Sequence, residues 1–419
     1  IKKSLSNKVN EIILNRKWWN QLWDAITAPG SIWEEAVSRN ESFYRDKIGC
    51  FAHCPFKTKT FLNYKQSKDS FIAPNFSSNC IIVLNNNEYE SEFSLYENRF
   101  EIVKNNNHKK VVFYTQITEI LPRSRFHKKN SIEVFLKTNK SYFICFYDDQ
   151  KNSKFIKDDL FPFNEMIIKK IAKLEPKLTK PCKSIDQICS DWVNRKISNF
   201  EYLIELNKAS GRSFNDLTQY PIFPWIVKDY SCQLINLAET SLYRDLRRPI
   251  GTMNDERIKK LREISEERKS ISNVQSTGVT GPTYLYKSGP SSEKIVKDFL
   301  SKILNSKTDN DFNSVPEAFK SVTSESEDFR EIVPEFFFQP ECFKGVELPP
   351  WASNPIEFVY LNRKALESDY VSASLDSWID LVWGFQNRGR EAAKRENNFM
   401  PDLYENTIDC EVNESLLRE

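Results

Sequence analysis

Residues 198–251 read SNFEYLIELNKASGRSFNDLTQYPIFPWIVKDYSCQLINLAETSLYRDLRRPIG, one short helix followed by a long coil rich in rings and broken by prolines. Ser198 and Glu201 have capping-box spacing: the Ser198 hydroxyl accepts the backbone N–H of Glu201, and the Glu201 carboxylate reaches back to Ser198. Leu203, Leu206 and Ala209 recur at helical spacing, and Gly211 offers a left-handed stop. Pro221 and Pro224 then fix their own φ and hold Tyr220 and Phe223 extended. Tyr220, Phe223, Trp225 and Tyr230 are too many large rings to leave in water, so this run is expected inside. A buried irregular segment needs a partner for every backbone N–H and C=O. Asn215, Asp216, Thr218, Gln219, Arg244, Asp245, Arg247 and Arg248 are the neighbours that can supply them. A partner-binding surface is the alternative use of the same residues.

The pattern returns towards the carboxyl terminus. Glu331–Phe343 is again aromatic and broken by Pro334 and Pro340, and Pro349 and Pro350 keep the approach to Trp351 extended. Asn354, Pro355 and Glu357 make a helix start, with a cap, a first-turn proline and a third-position carboxylate. Phe358, Leu361 and Ala365 are then expected to face inward. Leu375, Trp378, Ile379, Val382 and Phe385 stripe the next helix, which Gly389 is expected to end. Just after Gly251, Thr252 or Asn254 caps a charged helix edged by Ile258, Leu261 and Ile264. Residues 270–292 are rich in Ser, Thr and Gly and read as an exposed loop.

Residues 75–175 have a different character. Cys80–Leu84, Glu92–Tyr96, Arg99–Val103, Val111–Tyr114, Ile132–Leu136 and Tyr142–Phe146 are short strand-like runs, several separated by Asn-rich turns. A closing helix follows, striped by Phe155, Ile156, Leu160, Phe163, Ile167, Ile168 and Ile171 and interrupted by Pro162. Leu174–Cys189 carries two prolines and several lysines and reads as a linker short enough for the flanking domains to touch. Residues 1–71 are rich in tryptophan and charge. Val9, Ile12, Ile13, Trp19, Leu22, Trp23 and Ile26 keep helical spacing up to Pro29 and Gly30.

Two stretches carry a resemblance. GRSFNDLTQYPIFPWIVKDY with YRDLRRPIG, and DFREIVPEFFFQPECF with VELPPWASNPIEFVYLNRKALESDYVSASLDSWIDLVWGFQNRG, are similar to the signature of the BEACH domain of the neurobeachin and beige group, in order and spacing over roughly 191–409. The strands with one closing helix resemble a pleckstrin-homology barrel, which in that group directly precedes the BEACH domain. The resemblance implies an α+β fold in which a pleckstrin-homology-like β-barrel with a C-terminal helix packs on a BEACH domain of helices around a core of extended, irregular segments. The expected division is a wrapping segment over 1–71, a barrel over 72–175, a linker over 176–190 and the BEACH domain over 191–419. Departures fall at 270–310, where YLYKSGPSS lacks the histidine of the family's usual run, and at 343–346, where an insert is shortened. A WD-repeat propeller often follows in the family, and none lies within this sequence.

The implied function is a non-catalytic scaffold in vesicle, lysosomal or autophagic membrane trafficking, cytoplasmic, with peripheral endomembrane association as an alternative, and with a protein partner in a cleft between the two domains. Tyr220, Trp225, Arg244, Arg247 and Arg248 are the candidate lining from one side, and Arg123, Arg125 and Tyr142 from the other. Asn215, Asp216, Asp245, Glu335, Glu347, Asn362 and Arg363 are candidates for a structural polar core.

Other classes weigh less. Phosphoinositide-binding barrels place cations on the first strand pair and its loop, whereas Asn85–Glu90 reads NNNEYE. The basic residues Lys109, Lys110, Arg123, Arg125, Lys128, Lys129, Lys137 and Lys140 lie elsewhere and read as a solvated face, with weak anionic-lipid contact as the alternative. Glu335 and Glu347 are the pair a hydrolase would use, but each is expected to meet an arginine such as Arg244 or Arg363. The three histidines, His53, His108 and His127, all precede the BEACH-like half. Cys50, His53, Cys54 and Cys80 do not have the paired spacing of a zinc finger, so neither metal nor cofactor is expected. A net charge of +2 argues against general nucleic-acid attraction. Nine scattered cysteines, an odd number, fit reduced thiols. Hydrophobic residues at 40% and aromatics at 13% are ample for a sizeable core, and no run reaches the length of a spanning helix.

Overall fold

The computed structural model describes residues 74–84, 87–104, 109–125, 128–138, 140–147, 163–179, 183–216, 219–259, 312–324, 330–387 and 389–397. The expectations for 1–71, the Cys50, His53 and Cys54 group, His108, His127, residues 155–160, Leu261, Ile264 and the 270–292 loop lie outside them.

The amino-terminal described part is an antiparallel sheet of seven strands: β1 (Phe76–Leu84), β2 (Asn87–Leu95), β3 (Arg99–Lys104), β4 (Lys109–Phe113), β5 (Ile117–Arg125), β6 (Lys128–Leu136) and β7 (Ser141–Phe146). Their order across the sheet is β4-β3-β2-β1-β7-β6-β5. Six of these follow from alternating apolar residues. β5 does not, because Pro122 and three charged residues interrupt its pattern. It exists because it is an outermost strand, where a residue without an N–H is tolerated, and its pairing with β6 shifts register twice.

Side chains alternate across a pleated sheet, and the two faces differ. One face gathers Ile82, Phe93, Phe100, Ile102, Ile120, Ile132, Val134, Ile144 and Phe146 around Ile167 and Ile171 of helix α1 (Phe163–Leu174) and Leu178 of the turn Pro176–Thr179. The expected linker is therefore not a free spacer. Its first half finishes the sheet's core, and helix α2 (Ile185–Val193) occupies its second half. The other face carries Val83, Phe143 and Cys145, with Ser131, Glu133 and Phe135 also buried.

The remaining elements are α3 (Asn199–Ala209), α4 (Val315–Ser324), α5 (Pro355–Leu366), α6 (Asp369–Ser372), α7 (Leu375–Val382) and α8 (Gly389–Lys394). The capping box of α3 forms as its sequence dictates. Ser198 Oγ accepts from the Glu201 N–H at 3.1 Å, and Glu201 accepts from the Ser198 N–H at 2.8 Å. Gly211 ends the helix's final turn with φ +91°, a left-handed conformation that favours glycine. Asn354 caps α5 by accepting the Glu357 N–H at 2.9 Å. Gly389 does not stop α7, which ends at Val382; a 3₁₀ turn, Phe385–Asn387, intervenes and Gly389 begins α8.

Coil connects these helices and shares their core. Phe223 and Ile332 form an isolated antiparallel bridge, with N–H to C=O distances of 2.7 and 2.9 Å, and Val227 bridges Tyr243. Ring packs on ring: Trp225 meets Tyr230, Phe319 and Phe336 edge-on at 5.1, 5.2 and 5.5 Å between centroids. Trp225, Phe223, Phe336, Phe337 and Trp378 are all fully buried. The extended, proline-stiffened segments thus contribute much of the core, together with helix residues such as Phe200, Phe358 and Trp378.

Candidate interaction site at the sheet–coil junction

Buried coil needs internal hydrogen-bond partners, and one carboxylate is the hub. Glu331 accepts both terminal nitrogens of Arg244 at 2.8 Å, the Trp225 N–H at 3.1 Å and the Trp378 indole N–H at 3.0 Å. Arg244 also donates to the Trp225 and Arg248 carbonyls. Sequence reading named Arg244 but not Glu331, which stands at the head of the aromatic run 331–343. Its only sequence signal was a lone acid beside a buried stretch.

The other polar candidates divide between core and surface. Glu335, 1% exposed, accepts from the Tyr220 hydroxyl at 2.5 Å. Asn362, fully buried, donates to Phe358 O and accepts from the Tyr230 hydroxyl. Arg363 stacks over the Phe200 ring at 4.1 Å and pairs with Glu367, which itself caps α3 by accepting the Asn199 and Phe200 N–H groups. Neither arginine pairs as expected. Arg244 takes Glu331 and Arg363 takes Glu367. Glu335 and Glu347 are not a matched acid–base pair either, since the first is buried on a tyrosine and the second is exposed.

The loop after α3 is where coil meets sheet. Glu133 on β6, 2% exposed, accepts Arg123 Nε at 2.9 Å, the Ser213 hydroxyl at 2.7 Å and Asn215 Nδ2 at 3.4 Å. Asn215 also donates to the Ser141 hydroxyl of β7 at 2.8 Å. One turn earlier, Lys208 reaches Glu119 of β5 at 2.7 Å and Glu205 at 2.9 Å. Burial alone would pull the Lys208 ammonium down, but the two carboxylates outweigh it and hold it above its ordinary value. Arg125 binds Glu88 of β2 at 2.5 Å, with Cys145 and the buried Asp216 close enough to act on its charge.

This geometry corrects the expected cleft lining. Tyr220, Trp225, Arg244 and Arg123 are at most 4% exposed, so they hold the fold together and do not line an open groove. Tyr142 is partly buried against the sheet's own core. Only Arg247 and Arg248 present substantial guanidinium to solvent, 65% and 38% of their side chains. Asp245 fixes Arg247 at 2.8 Å, and that contact holds the Asp245 carboxyl below its usual range. The basic run is not a patch: Lys128 and Lys129 open β6, while Lys137 and Lys140 lie past its other end. Among the described residues no group of His, Cys, Asp and Glu is placed to hold a metal ion, and no helix is long and apolar enough to cross a membrane.

The Beige/BEACH domain family matches residues 190–418, more than half of the chain. The chain belongs to the BEACH domain family. It is 38% identical over 260 residues to BEACH domain-containing protein lvsD of Dictyostelium discoideum, covering 54% of this chain and 8% of that protein. It is 33% identical over 310 residues to WD repeat- and FYVE domain-containing protein 4 of Homo sapiens, covering 67% of this chain and 10% of that protein. With BEACH domain-containing protein B of Arabidopsis thaliana it shares 37% identity over 259 residues, 54% of this chain and 10% of that protein. The chain thus spans about a tenth of the length of these curated relatives. The family match begins at residue 190, so the BEACH region contains α3 to α8 and the ring-filled coil, and the sheet precedes it.

Proposed function

We propose that this BEACH chain is a non-catalytic scaffold in membrane trafficking, in which a pleckstrin-homology-like sheet and the BEACH domain act as one docked platform for a protein partner. The observation that carries the reading is Glu133: a buried carboxylate of the sheet that accepts donors from its own Arg123 and from Ser213 and Asn215 of the BEACH coil. In some proteins buried charge fixes one arrangement of packed parts, and a fixed arrangement is what a platform needs. The strand order and the single closing helix α1 support the pleckstrin-homology-like assignment. The division at 72–175, 176–190 and 191–419 follows the same reading, with the helix α2 and the turn before it replacing a free linker.

The exposed arginines Arg247 and Arg248, with the exposed Tyr370 near Arg247, are the proposed partner face. Arginine and tyrosine are the residue types that anchor protein contacts. A quantitative pull-down with the 419-residue chain and its Arg247→Ala, Arg248→Ala variant tests this. With unfolding temperatures matched, the variant is expected to lose a defined set of bound proteins. An unchanged set would reject the face.

A further inference from the structure

Covered arginines in this fold come with a carboxylate. Arg123 has Glu133 at 2.9 Å, Arg244 has Glu331 at 2.8 Å and Arg363 has Glu367 at 2.9 Å. Arg212, partly covered in the loop after α3, has no ion pair among the described residues. Its guanidinium makes one hydrogen bond, from Nη1 to the Tyr220 carbonyl at 2.8 Å. Nε and Nη2 make none, and neither is sealed from solvent. The group is nonetheless set into the protein. Burial pulls its pKa down to about 10, and the charge of Asp216 offsets that only in part.

The free nitrogens are a matched pair. Nε and Nη2 form the side of a guanidinium that grips a carboxylate with two parallel bonds. The same chain shows that grip at Arg247, whose Nε and Nη2 take the two Asp245 oxygens at 2.8 and 3.2 Å. The loop that carries Arg212 is already fixed. The Arg212 N–H donates to the Asn207 carbonyl at 3.0 Å, and the Ser213 N–H to the Gln219 carbonyl at 2.9 Å. Ser213 and Asn215 hold Glu133 of β6. A donor pair built in advance costs little ordering when a ligand arrives.

We propose that Arg212 is a carboxylate receptor at the sheet–coil junction, where Nε and Nη2 take an aspartate or glutamate side chain from an acidic segment of a protein partner. An unneutralised cation set into protein is costly, and the bound carboxylate removes that cost while its own charge meets two donors. A carboxylate suits the site better than phosphate. Asp216 already acts there, and a dianion meets more of its repulsion than a monoanion does. A flat lipid surface reaches a partly covered guanidinium poorly. Arg212 is no part of the Arg247 and Arg248 face, and its binding stands whether or not that face binds.

The test is fluorescence anisotropy at fixed ionic strength with the whole 419-residue chain. The probe is a labelled peptide of alternating Glu and Gly, against one of alternating Gln and Gly. The Glu peptide should bind saturably and the Gln peptide should not. Arg212→Lys keeps the charge but loses the fork, and should weaken binding about tenfold or more. Arg212→Gln should weaken it at least as much. Equal loss in Arg195→Gln, or in Arg247→Ala with Arg248→Ala, would overturn the proposal as general charge attraction. Binding unchanged in both Arg212 variants, or no binding by wild type, would overturn it outright. Inorganic phosphate displacing the peptide better than acetate does would overturn the choice of carboxylate. Circular dichroism confirms that each variant is folded. A second measurement needs no variant: phenylglyoxal should label Arg212 of wild type, and the Glu peptide should protect it, read by mass spectrometry. Labelling that a bound peptide leaves unchanged would count against the site.

Discussion

Glu331 shows why a buried arginine is there at all. Four donors converge on it from coil, core ring and guanidinium, so each partner lost leaves the rest unsatisfied in a low-dielectric interior. Arg244→Met removes the countercharge, and the cost expected is about 3–5 kcal/mol. Urea unfolding of the variant and wild type measures it; a loss below about 1 kcal/mol would mean that the pair does not organise the coil. Asp380 behaves in the opposite sense. Its carboxyl is held above its ordinary value by burial and by Asp376, so the folded state binds the proton more tightly and stability falls as pH rises through that window. Asp380→Asn is therefore expected to raise the melting temperature at neutral pH, with the gain fading as pH drops below the ordinary aspartate range. A gain that persists unchanged in acid would contradict the assignment.

Elements were legible to the degree that their cause was local. The caps at Ser198 and Asn354 and the turn at Gly211 are short-range chemistry, and each appears as its residues dictate. β5 was not legible, because what permits Pro122 is its outermost place among the described strands, a property of the sheet and not of the segment. Phe385 was assigned to an inward stripe by spacing, but the helix stops three residues earlier and leaves the ring outside. Burial of Tyr220, Trp225 and Tyr230 was readable from ring content. The identity of their polar partners was not, since Glu331 and Glu335 lie more than 100 residues away along the chain. Among elements, α3 carries the strongest reach into the sheet through Lys208. Lys208→Met removes the Lys208 ammonium from Glu119, 1% exposed, and a loss of about 3 kcal/mol is expected in chemical denaturation.

At the scale of the molecule, the sheet and the BEACH coil share buried polar groups and not only a surface. Ser213→Ala with Asn215→Ala removes three donations to Glu133 and Ser141 while leaving both cores intact. Calorimetry is expected to show the single unfolding transition of wild type split into two, the sheet melting apart from the BEACH portion. One sharp transition in the variant would show that contacts other than these hydrogen bonds suffice for coupling. How the two parts meet was the least legible level in the sequence. Sequence pattern names the faces of a strand, but which face another domain covers depends on where a distant loop arrives.

The outermost strand holds one more consequence. Pro122 lacks an N–H on β5, which among the described strands pairs only with β6, and the other rim, β4, opens with Lys109 and Lys110 turned to water. Neither rim of the described sheet is a clean template for a further strand, and Pro122→Val is expected to raise the tendency of concentrated chains to pair edge to edge, read as thioflavin-binding aggregate.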